Sequence, residues 1–279
     1  MNKVKLIRVT PNNNNKFYNM EDLGNNTFKV EYGRVGATSI VLTYPIHGWY
    51  KKYNEKLKRG YIDIPESLQQ DIKKAQLKID NKDVKDLISF LMSCAKQSIK
   101  SNYEVSLDNI SDIQINKAQE LLDWLNNSIQ AKTPANIIND KLKSIYITIS
   151  RKMSDTRSFF VKKNDYKILE LLELLQAEQN RLNTLKSQVN LNQKSKTVED
   201  ITLDTLGFKC ELASQEDRDL ITKETDFKIK NQRIFKITNP ETEKTFNPNH
   251  LKTKLLYHGS RNENFLSILQ TGLKIRQQV

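Results

Sequence analysis

The sequence predicts an α+β protein of several domains, in which a small antiparallel β module precedes an all-α helical bundle and the beginning of a mixed α/β region. Three observations support this prediction. Apolar and polar residues alternate in the first 64 residues, apolar residues then follow the helical period up to about residue 190, and short alternating stretches return after it. We therefore expect three domains, at residues 1–64, 65–190 and 191–279.

The first domain is predicted to be a small antiparallel sheet with one helix. The stretches "KVKLIRV", "TFKVEYGRVG" and "TSIVLTY" each alternate at a period of two, as half-buried strands do. Gly24, Asn25 and Asn26 favour a hairpin turn, because glycine and asparagine tolerate positive φ. A helix is expected from Gly48 to Lys58.

A series of amphipathic helices predicts the bundle. Ser111 and Gln114 form a capping-box pattern, Pro134 favours the start of a further helix, and Asn164 or Asp165 can cap a last long helix. The apolar stripes expected to form its core are Val84, Leu87, Ile88, Leu91, Met92 and Ala95; Ile115, Ala118, Leu122, Leu125 and Ile129; Ile138, Leu142, Ile145 and Ile149; and Ile168, Leu172, Leu175, Leu182 and Leu185.

The last region is predicted to begin with a polar linker and to continue as mixed α/β structure. Residues 191–200 are expected to form the linker, and alternation around Phe235 and Ile237 predicts a strand. The apolar run that ends in "HGS" predicts a strand end at residues 258–260, followed by a helix that Gly272 closes. A strand end of this kind offers an imidazole, an unobstructed backbone and a hydroxyl, which suit a planar amide and a ribose diol. From these three residues alone, a simple turn without a ligand is the preferred interpretation.

Composition narrows the classes of function. The net charge of +12, with a pI near 9.4, favours nucleic acid first and an acidic membrane second, although a lysine-rich solubilising surface explains it equally well. Two distant cysteines, Cys94 and Cys210, form neither a disulfide framework nor a zinc site and indicate a reducing compartment. We expect a soluble intracellular protein with no metal and no membrane partner, because no stretch approaches the ~18 apolar residues of a membrane span. Neither a P-loop nor a dinucleotide fingerprint is present, which leaves a Rossmann fold without support.

The stretch "LLYHGSRNENFLSILQTGLKI" resembles the start of the NAD-binding core of the poly(ADP-ribose) polymerases. Tyr257 stands where a Trp is common, and Lys274 stands where Arg is frequent. The positions that fit the family pattern are His258, Gly259, Ser260, Arg261, Asn264, Phe265, Ile268, Leu269, Gly272 and Leu273.

The N-terminal stretches "NNNNKFYNME" and "FKVEYGRVG" resemble the WGR module of the same enzymes. Tyr32, Gly33 and Arg34 stand in the place of the Trp-Gly-Arg that names the module. The bundle lies where the family has its helical regulatory domain, so the resemblance spans nearly the whole chain. It implies a WGR module at 1–64, a helical regulatory domain at 65–190 and an incomplete N-terminal part of the ADP-ribosyltransferase catalytic domain at 191–279.

The resemblance implies an enzyme that moves ADP-ribose from NAD to protein acceptors. The matching histidine, His258, would bind the adenosine ribose as the catalytic residue within this chain, and the backbone of Gly259 would bind the nicotinamide amide. The residues implied in NAD binding are His258, Gly259, Ser260, Asn264, Ser267 and Lys274. The family places its remaining catalytic Tyr and Glu at positions beyond Val279, so we expect a truncated chain that is inactive alone.

The resemblance also implies activation by DNA strand breaks and a nuclear location. DNA binding at the WGR module would destabilise the helical domain that screens the NAD pocket. The residues implied in DNA binding are Tyr32, Gly33, Arg34, Lys51 and Lys52. A solvated helix face explains the lysines equally well. Two alternatives stay open, namely a non-catalytic DNA-end-binding regulatory protein and a helical scaffold without a preference for DNA ends.

Overall fold

The computed structural model describes residues 2–64, 75–104, 110–129, 131, 133–162, 167–224, 232–246 and 256–273. The chain forms two compact units, and each unit is built from two separate stretches of sequence. The first unit contains Met1–Gln70 and Ile99–Leu182, and the second contains Asp71–Ser98 and Asn183–Val279.

A five-stranded antiparallel sheet opens the first unit, with the strand order β4-β3-β2-β1-β5. Its strands and the helix α1 are β1 (Lys3–Thr10), β2 (Asn14–Asp22), β3 (Thr27–Arg34), β4 (Ile40–Pro45), α1 (Trp49–Lys58) and β5 (Ile62–Ile64). The predicted strands, the helix and the turn at Gly24 and Asn26, which both have positive φ, are confirmed. Strand β2 is absent from the prediction, because its start lies in an asparagine-rich tract. Asn13 turns this tract with a φ of 58°, and Asn15 is buried in the strand.

Both faces of this sheet are partly covered. On one face, Leu6, Tyr18, Phe28 and Val30 pack with Trp49 of α1 in a single apolar cluster. The opposite face buries residues of β1 and β2, including Ile7, Val9 and Phe17. Helix α4, which spans Ala135–Thr148, packs against β1 and β5. The edge strand β4 exposes three consecutive apolar residues, Ile40, Val41 and Leu42.

The helical prediction holds for most of the bundle. The long helices are α2 (Lys82–Asn102), α3 (Asp112–Ser128), α4 and α5 (Ile168–Thr197). Ser111 caps α3 by the predicted capping box, and the predicted stripes of α3 and α4 are buried.

The predicted apolar stripe of α5 is wrong at its N-terminal end. Ile168 and Leu172 are exposed, and the buried side chains are those of Leu171, Leu175, Glu178, Leu182 and Leu185. These positions recur every three or four residues, but the polar Glu178 interrupts the apolar pattern and conceals it.

The second unit has short strands and short helices around one apolar core. Its remaining elements are β6 (Gln76–Leu77), β7 (Asp200–Ile201), α6 (Leu203–Leu206), β8 (Lys209–Leu212), α7 (Gln215–Glu224), β9 (Phe235–Thr238), α8 (Pro240–Thr245) and α9 (Asn262–Thr271). Strands β6 and β7 pair in parallel, whereas β8 and β9 pair antiparallel. The core joins Val84 and Ile88 of α2 to Phe208, Cys210 and Leu266.

Two predictions for the C-terminal region are corrected. The expected linker at 191–200 is helical up to Thr197, because Leu191 continues the buried face of α5 into the core. The expected strand end at His258 is irregular structure throughout residues 256–261, and the helix that follows, α9, is confirmed. Three residues named in the sequence predictions for a helix cap or for NAD binding lie outside the described residues, namely Asn164, Asp165 and Lys274.

The described residues thus form an α+β protein with an antiparallel sheet and many helices, as predicted. None of the helices within the described ranges is both long enough and apolar enough to cross a membrane.

Candidate functional site

The His-Gly-Ser turn lies directly before α9. His258 and Gly259 are exposed, and Ser260 is half-buried. A β-carbon added to Gly259 would meet no other atom within 4 Å, so a ligand can approach this backbone from that side. The Oγ of Ser260 accepts a hydrogen bond of 3.2 Å from the side-chain amide of Asn264. The turn therefore presents an open backbone beside a hydroxyl that is held in place from α9.

Helix α9 is fixed to its own unit by packing and by one asparagine. Leu266 is fully buried in the core. The Oδ1 of Asn239 accepts from the backbone amides at the start of α8, and its Nδ2 donates to the carbonyl of Leu269 at 2.8 Å. At the end of α9, Gly272 has a φ of 75°, and a β-carbon there would lie 2.5 Å from Cγ2 of Thr242. The start of α8 is thereby held against the end of α9.

A second set of polar contacts joins α9 to the C-terminal part of α5. The Oγ1 of Thr184 donates to Oδ1 of Asn264 at 3.2 Å, and the Oγ of Ser187 donates to Oε1 of Gln270 at 2.5 Å. Both donors are buried residues on one face of α5. Because they contact opposite ends of α9, they fix its position along α5.

The structure brings together four of the six residues implied in NAD binding. His258, Gly259, Ser260 and Asn264 lie on the turn and the first turn of α9. Ser267 is buried on α9, where its hydroxyl donates to the carbonyl of Asn264 at 2.9 Å. Within the described residues, no three His, Cys, Asp or Glu side chains form a group that could hold a metal ion.

A second candidate site lies on the N-terminal sheet, which we call the basic–aromatic surface. It consists of the cations Arg8, Lys16, Lys52, Lys56 and Arg59 with the rings of Tyr18, Tyr44 and Tyr61. The Nζ of Lys56 lies 4.2 Å from the centre of the Tyr18 ring and 5.8 Å from that of Tyr61. The Nζ of Lys52 lies 4.0 Å from the centre of the Tyr44 ring. These contacts hold both ammonium groups over aromatic faces.

The cations of the basic–aromatic surface crowd one another. Arg8 is paired directly with Lys16 across β1 and β2, and Lys16 with Arg34 across β2 and β3. Like charges placed opposite each other destabilise a sheet. Burial lowers the pKa of Lys56, and the neighbouring charge of Arg59 lowers it further. A bound anion would relieve both effects, so this surface suits phosphate groups.

The five residues implied in DNA binding occupy different environments. Tyr32 is half-buried, with its ring centre 5.8 Å from that of Tyr18. Lys52 belongs to the basic–aromatic surface, and Lys51 is exposed on α1. A β-carbon on Gly33 would come within 3.2 Å of the carbonyl oxygen of Thr38, so glycine permits the close turn between β3 and β4.

Arg34 is held by contacts inside the first unit. Its guanidinium donates to the backbone carbonyl of Asn13 at 3.1 Å and to the Asn13 side chain at 2.7 Å. It also donates to the carbonyls of Met153 and Ser154, at 3.1 and 2.7 Å. These four bonds tie the segment that follows α4 to the β1–β2 turn.

Four residues of the two candidate sites are absent from the predicted site residues, namely Arg8, Lys16, Thr184 and Asn239. Pairing of Arg8 with Lys16 could have been anticipated had β2 been recognised, because the two strands join at a short asparagine turn. A threonine or an asparagine carries no comparable signal, since its partner is distant in sequence.

Comparisons with known proteins agree with the C-terminal motif. Residues 214–279, which include the turn and α9, match the family model "Poly(ADP-ribose) polymerase catalytic domain". A similar protein is "Uncharacterized protein 101L" of Invertebrate iridescent virus 6, which is 34% identical over 188 residues. That alignment covers 67% of this chain and 78% of the viral protein. The chain belongs to the same family as protein 101L.

The match to the polymerase model supports the resemblance in the C-terminal region. His258, Gly259, Ser260 and Asn264 all fall within the matched segment, residues 214–279.

Proposed function

We propose that this protein is an NAD-dependent ADP-ribosyltransferase of the poly(ADP-ribose) polymerase type, which transfers ADP-ribose to protein acceptors. The observation that carries the proposal is the family match of residues 214–279, with Gly259 open to a ligand beside the oriented hydroxyl of Ser260. NAD is the substrate, and no metal takes part.

The residues of the turn would bind the two ends of NAD. The imidazole of His258 would bind the adenosine ribose, and the backbone of Gly259 would bind the carboxamide of nicotinamide. In the reaction, the bond between nicotinamide and C1′ of the ribose breaks, and nicotinamide leaves with the electron pair. The acceptor nucleophile then bonds to C1′ and loses its proton. The transition state is an oxocarbenium ion, which requires a carboxylate close to C1′.

We further propose that DNA strand breaks stimulate this activity and that the protein acts in the nucleus. The basic–aromatic surface supports the proposal, because it offers crowded cations for phosphates and the half-buried rings of Tyr44 and Tyr61 for exposed sugars or bases. Binding by such a surface would depend steeply on salt and little on sequence.

The alternative is a non-catalytic regulatory protein that binds DNA ends. One observation favours it, since the basic–aromatic surface lies wholly within residues 2–64, outside the polymerase-type segment. Such a protein would occupy DNA ends without transferring ADP-ribose.

The test is transfer of label from radioactive NAD to protein by the endogenous, full-length protein purified from its source. We expect labelling that nicked duplex DNA increases and that closed circular duplex does not. His258→Ala should abolish the labelling, whereas His47→Ala, an exposed histidine of the sheet unit, should leave it unchanged.

Three outcomes separate the interpretations. Labelling that depends on His258 supports the transferase. Binding to nicked DNA without any labelling refutes the transferase and supports the regulatory protein. Equal binding to nicked and closed DNA, with no effect of Lys56→Gln, would leave only the scaffold interpretation.

A further inference from the structure

We propose that Thr184 of α5 is a positioning residue for the nucleotide site, because it orients the hydroxyl of Ser260 through the side chain of Asn264. The inference rests on the proposed function of the turn as an NAD site. It adds a residue far from the motif in sequence, on a different element of the second unit.

The contacts form a continuous relay. The Oγ1 of Thr184 donates to Oδ1 of Asn264 at 3.2 Å, and Nδ2 of Asn264 donates to Oγ of Ser260 at 3.2 Å. Thr184 is 2% exposed, so water does not compete for its hydroxyl. The carbonyl of Glu263, 3.4 Å from the same Oγ1, is a second acceptor for this proton, but it is more distant than Oδ1 of Asn264.

The direction of this relay has a chemical consequence. A hydroxyl carries one proton and can both donate and accept. Because Thr184 donates to the amide oxygen of Asn264, the amide nitrogen faces Ser260 and donates to it. The Ser260 hydroxyl therefore accepts from the protein and keeps its own proton for an acceptor atom of the ligand. A reversed amide would consume that proton and present a lone pair in its place.

The chain supplies a matched control one helical turn away. Ser187 lies three residues after Thr184 on the same face of α5 and donates to Gln270 at 2.5 Å, near the C-terminal end of α9. It thus contributes a hydrogen bond to the same helix pair without touching Asn264 or Ser260. If NAD affinity falls only because α9 packs more weakly, substitution of either Thr184 or Ser187 should lower it. If it falls because the Ser260 hydroxyl loses its orientation, only substitution of Thr184 should lower it.

The experiment compares Thr184→Val, Thr184→Ser and Ser187→Ala in the full chain. Titration with NAD should show binding about 3- to 10-fold weaker for Thr184→Val, which corresponds to one lost hydrogen bond. Thr184→Ser keeps the hydroxyl and should bind as the wild type does, and Ser187→Ala should also keep wild-type affinity. Thermal denaturation should show similar losses of stability for Thr184→Val and Ser187→Ala.

A spectroscopic measurement follows the amide directly. With asparagine labelled by 15N, the side-chain amide signal of Asn264 should shift in Thr184→Val and stay in place in Thr184→Ser and Ser187→Ala. An unshifted signal in Thr184→Val, or unchanged NAD affinity of this variant while the wild type binds NAD, would overturn the inference alone. If the wild type binds no NAD, the proposed function fails, and the role of Thr184 in nucleotide binding fails with it.

Discussion

Replacing Glu178 with alanine should destabilise the first unit strongly, because it would leave a buried arginine without its carboxylate. Arg151 and Glu178 are 2% and 3% exposed, and their charged atoms lie 3.0 Å apart. Burial disfavours the charged guanidinium, but the carboxylate of Glu178 together with Tyr103 and Tyr146 outweighs it, and these groups hold the pKa of Arg151 above its ordinary value. Because a guanidinium keeps its proton even in buried sites, Arg151 would stay charged after the substitution.

The size of the stability loss depends on the contacts that Arg151 would retain. Removing one partner of a buried pair costs about 3–5 kcal/mol. Arg151 would keep a hydrogen bond of 3.0 Å to the hydroxyl of Tyr103, and its guanidinium lies within 6 Å of the rings of Tyr103, Tyr146 and Phe159. These contacts offset part of the loss. We therefore expect a decrease of about 3–4 kcal/mol, near the lower end of that range.

Urea denaturation followed by circular dichroism measures this loss. With a slope of about 2 kcal/mol per molar, the midpoint of the first unit should fall by about 1.5–2 M. Arg181 provides the control, because it contacts the same carboxylate at 2.7 Å but is 31% exposed. Arg181→Ala should cost about 1 kcal/mol or less, as exposed ion pairs do.

The double variant Arg151→Met/Glu178→Leu separates lost charge from lost packing. Replacing both partners by apolar residues of similar size should recover most of the stability. A decrease of under about 1 kcal/mol for Glu178→Ala would show that water reaches Arg151, and the reasoning from burial would then be wrong.

Three further predictions concern Lys56, Cys210 and Gly272. Lys56→Gln should weaken binding to nicked DNA and reduce its salt slope by about one, whereas Lys58→Gln, on the opposite side of α1, should change binding less. Burial raises the pKa of Cys210 from 9.0 to about 11, so its thiol should resist alkylation at pH 8. Because the unfolded chain loses the thiol proton at lower pH than the folded protein does, the stabilising contribution of Cys210 should disappear as the pH rises from 9 to 11. Gly272→Ala should lower stability by about 1–3 kcal/mol, more than Gly24→Ala, which has positive φ but no atom near the added carbon.

Each of these tests has a clear contrary result. Equal salt slopes for the two lysine variants would remove Lys56 from the phosphate contacts. Rapid alkylation of Cys210 in the folded protein would show that its burial is incomplete. Equal melting temperatures for the two glycine variants would show that the close approach of α8 to α9 is relieved without cost.

Local signals in the sequence predicted much of the fold. The capping box of Ser111 and Gln114, the turn at Gly24 and the stripes of α3 and α4 depend on residues close together in the chain, so their pattern is visible without a structure. Strand β2 is concealed in the sequence, because it begins in an asparagine-rich tract, although Asn15 is a buried strand residue.

Polar residues in buried positions account for most of the errors. Glu178 belongs to the buried face of α5, and a carboxylate is stable there because it pairs with Arg151, which lies 27 residues earlier. In the same way, the His-Gly-Ser turn was found from its motif, while Thr184, 80 residues before Asn264, gave no signal. Partners of buried polar groups are set by tertiary contacts, and a single sequence does not display them.

The four hydrogen bonds of Arg34 affect how genetic data on this protein would be interpreted. In a mutational scan, substitutions at Arg34 would reduce the abundance of folded protein, since they release the segment at residues 153–154 from the β1–β2 turn. A loss of function at this motif position would therefore report a folding defect as readily as a lost DNA contact. A screen that records protein level beside phenotype would distinguish the two, and Lys16 or Lys56 would be the cleaner alleles for a defect in DNA binding.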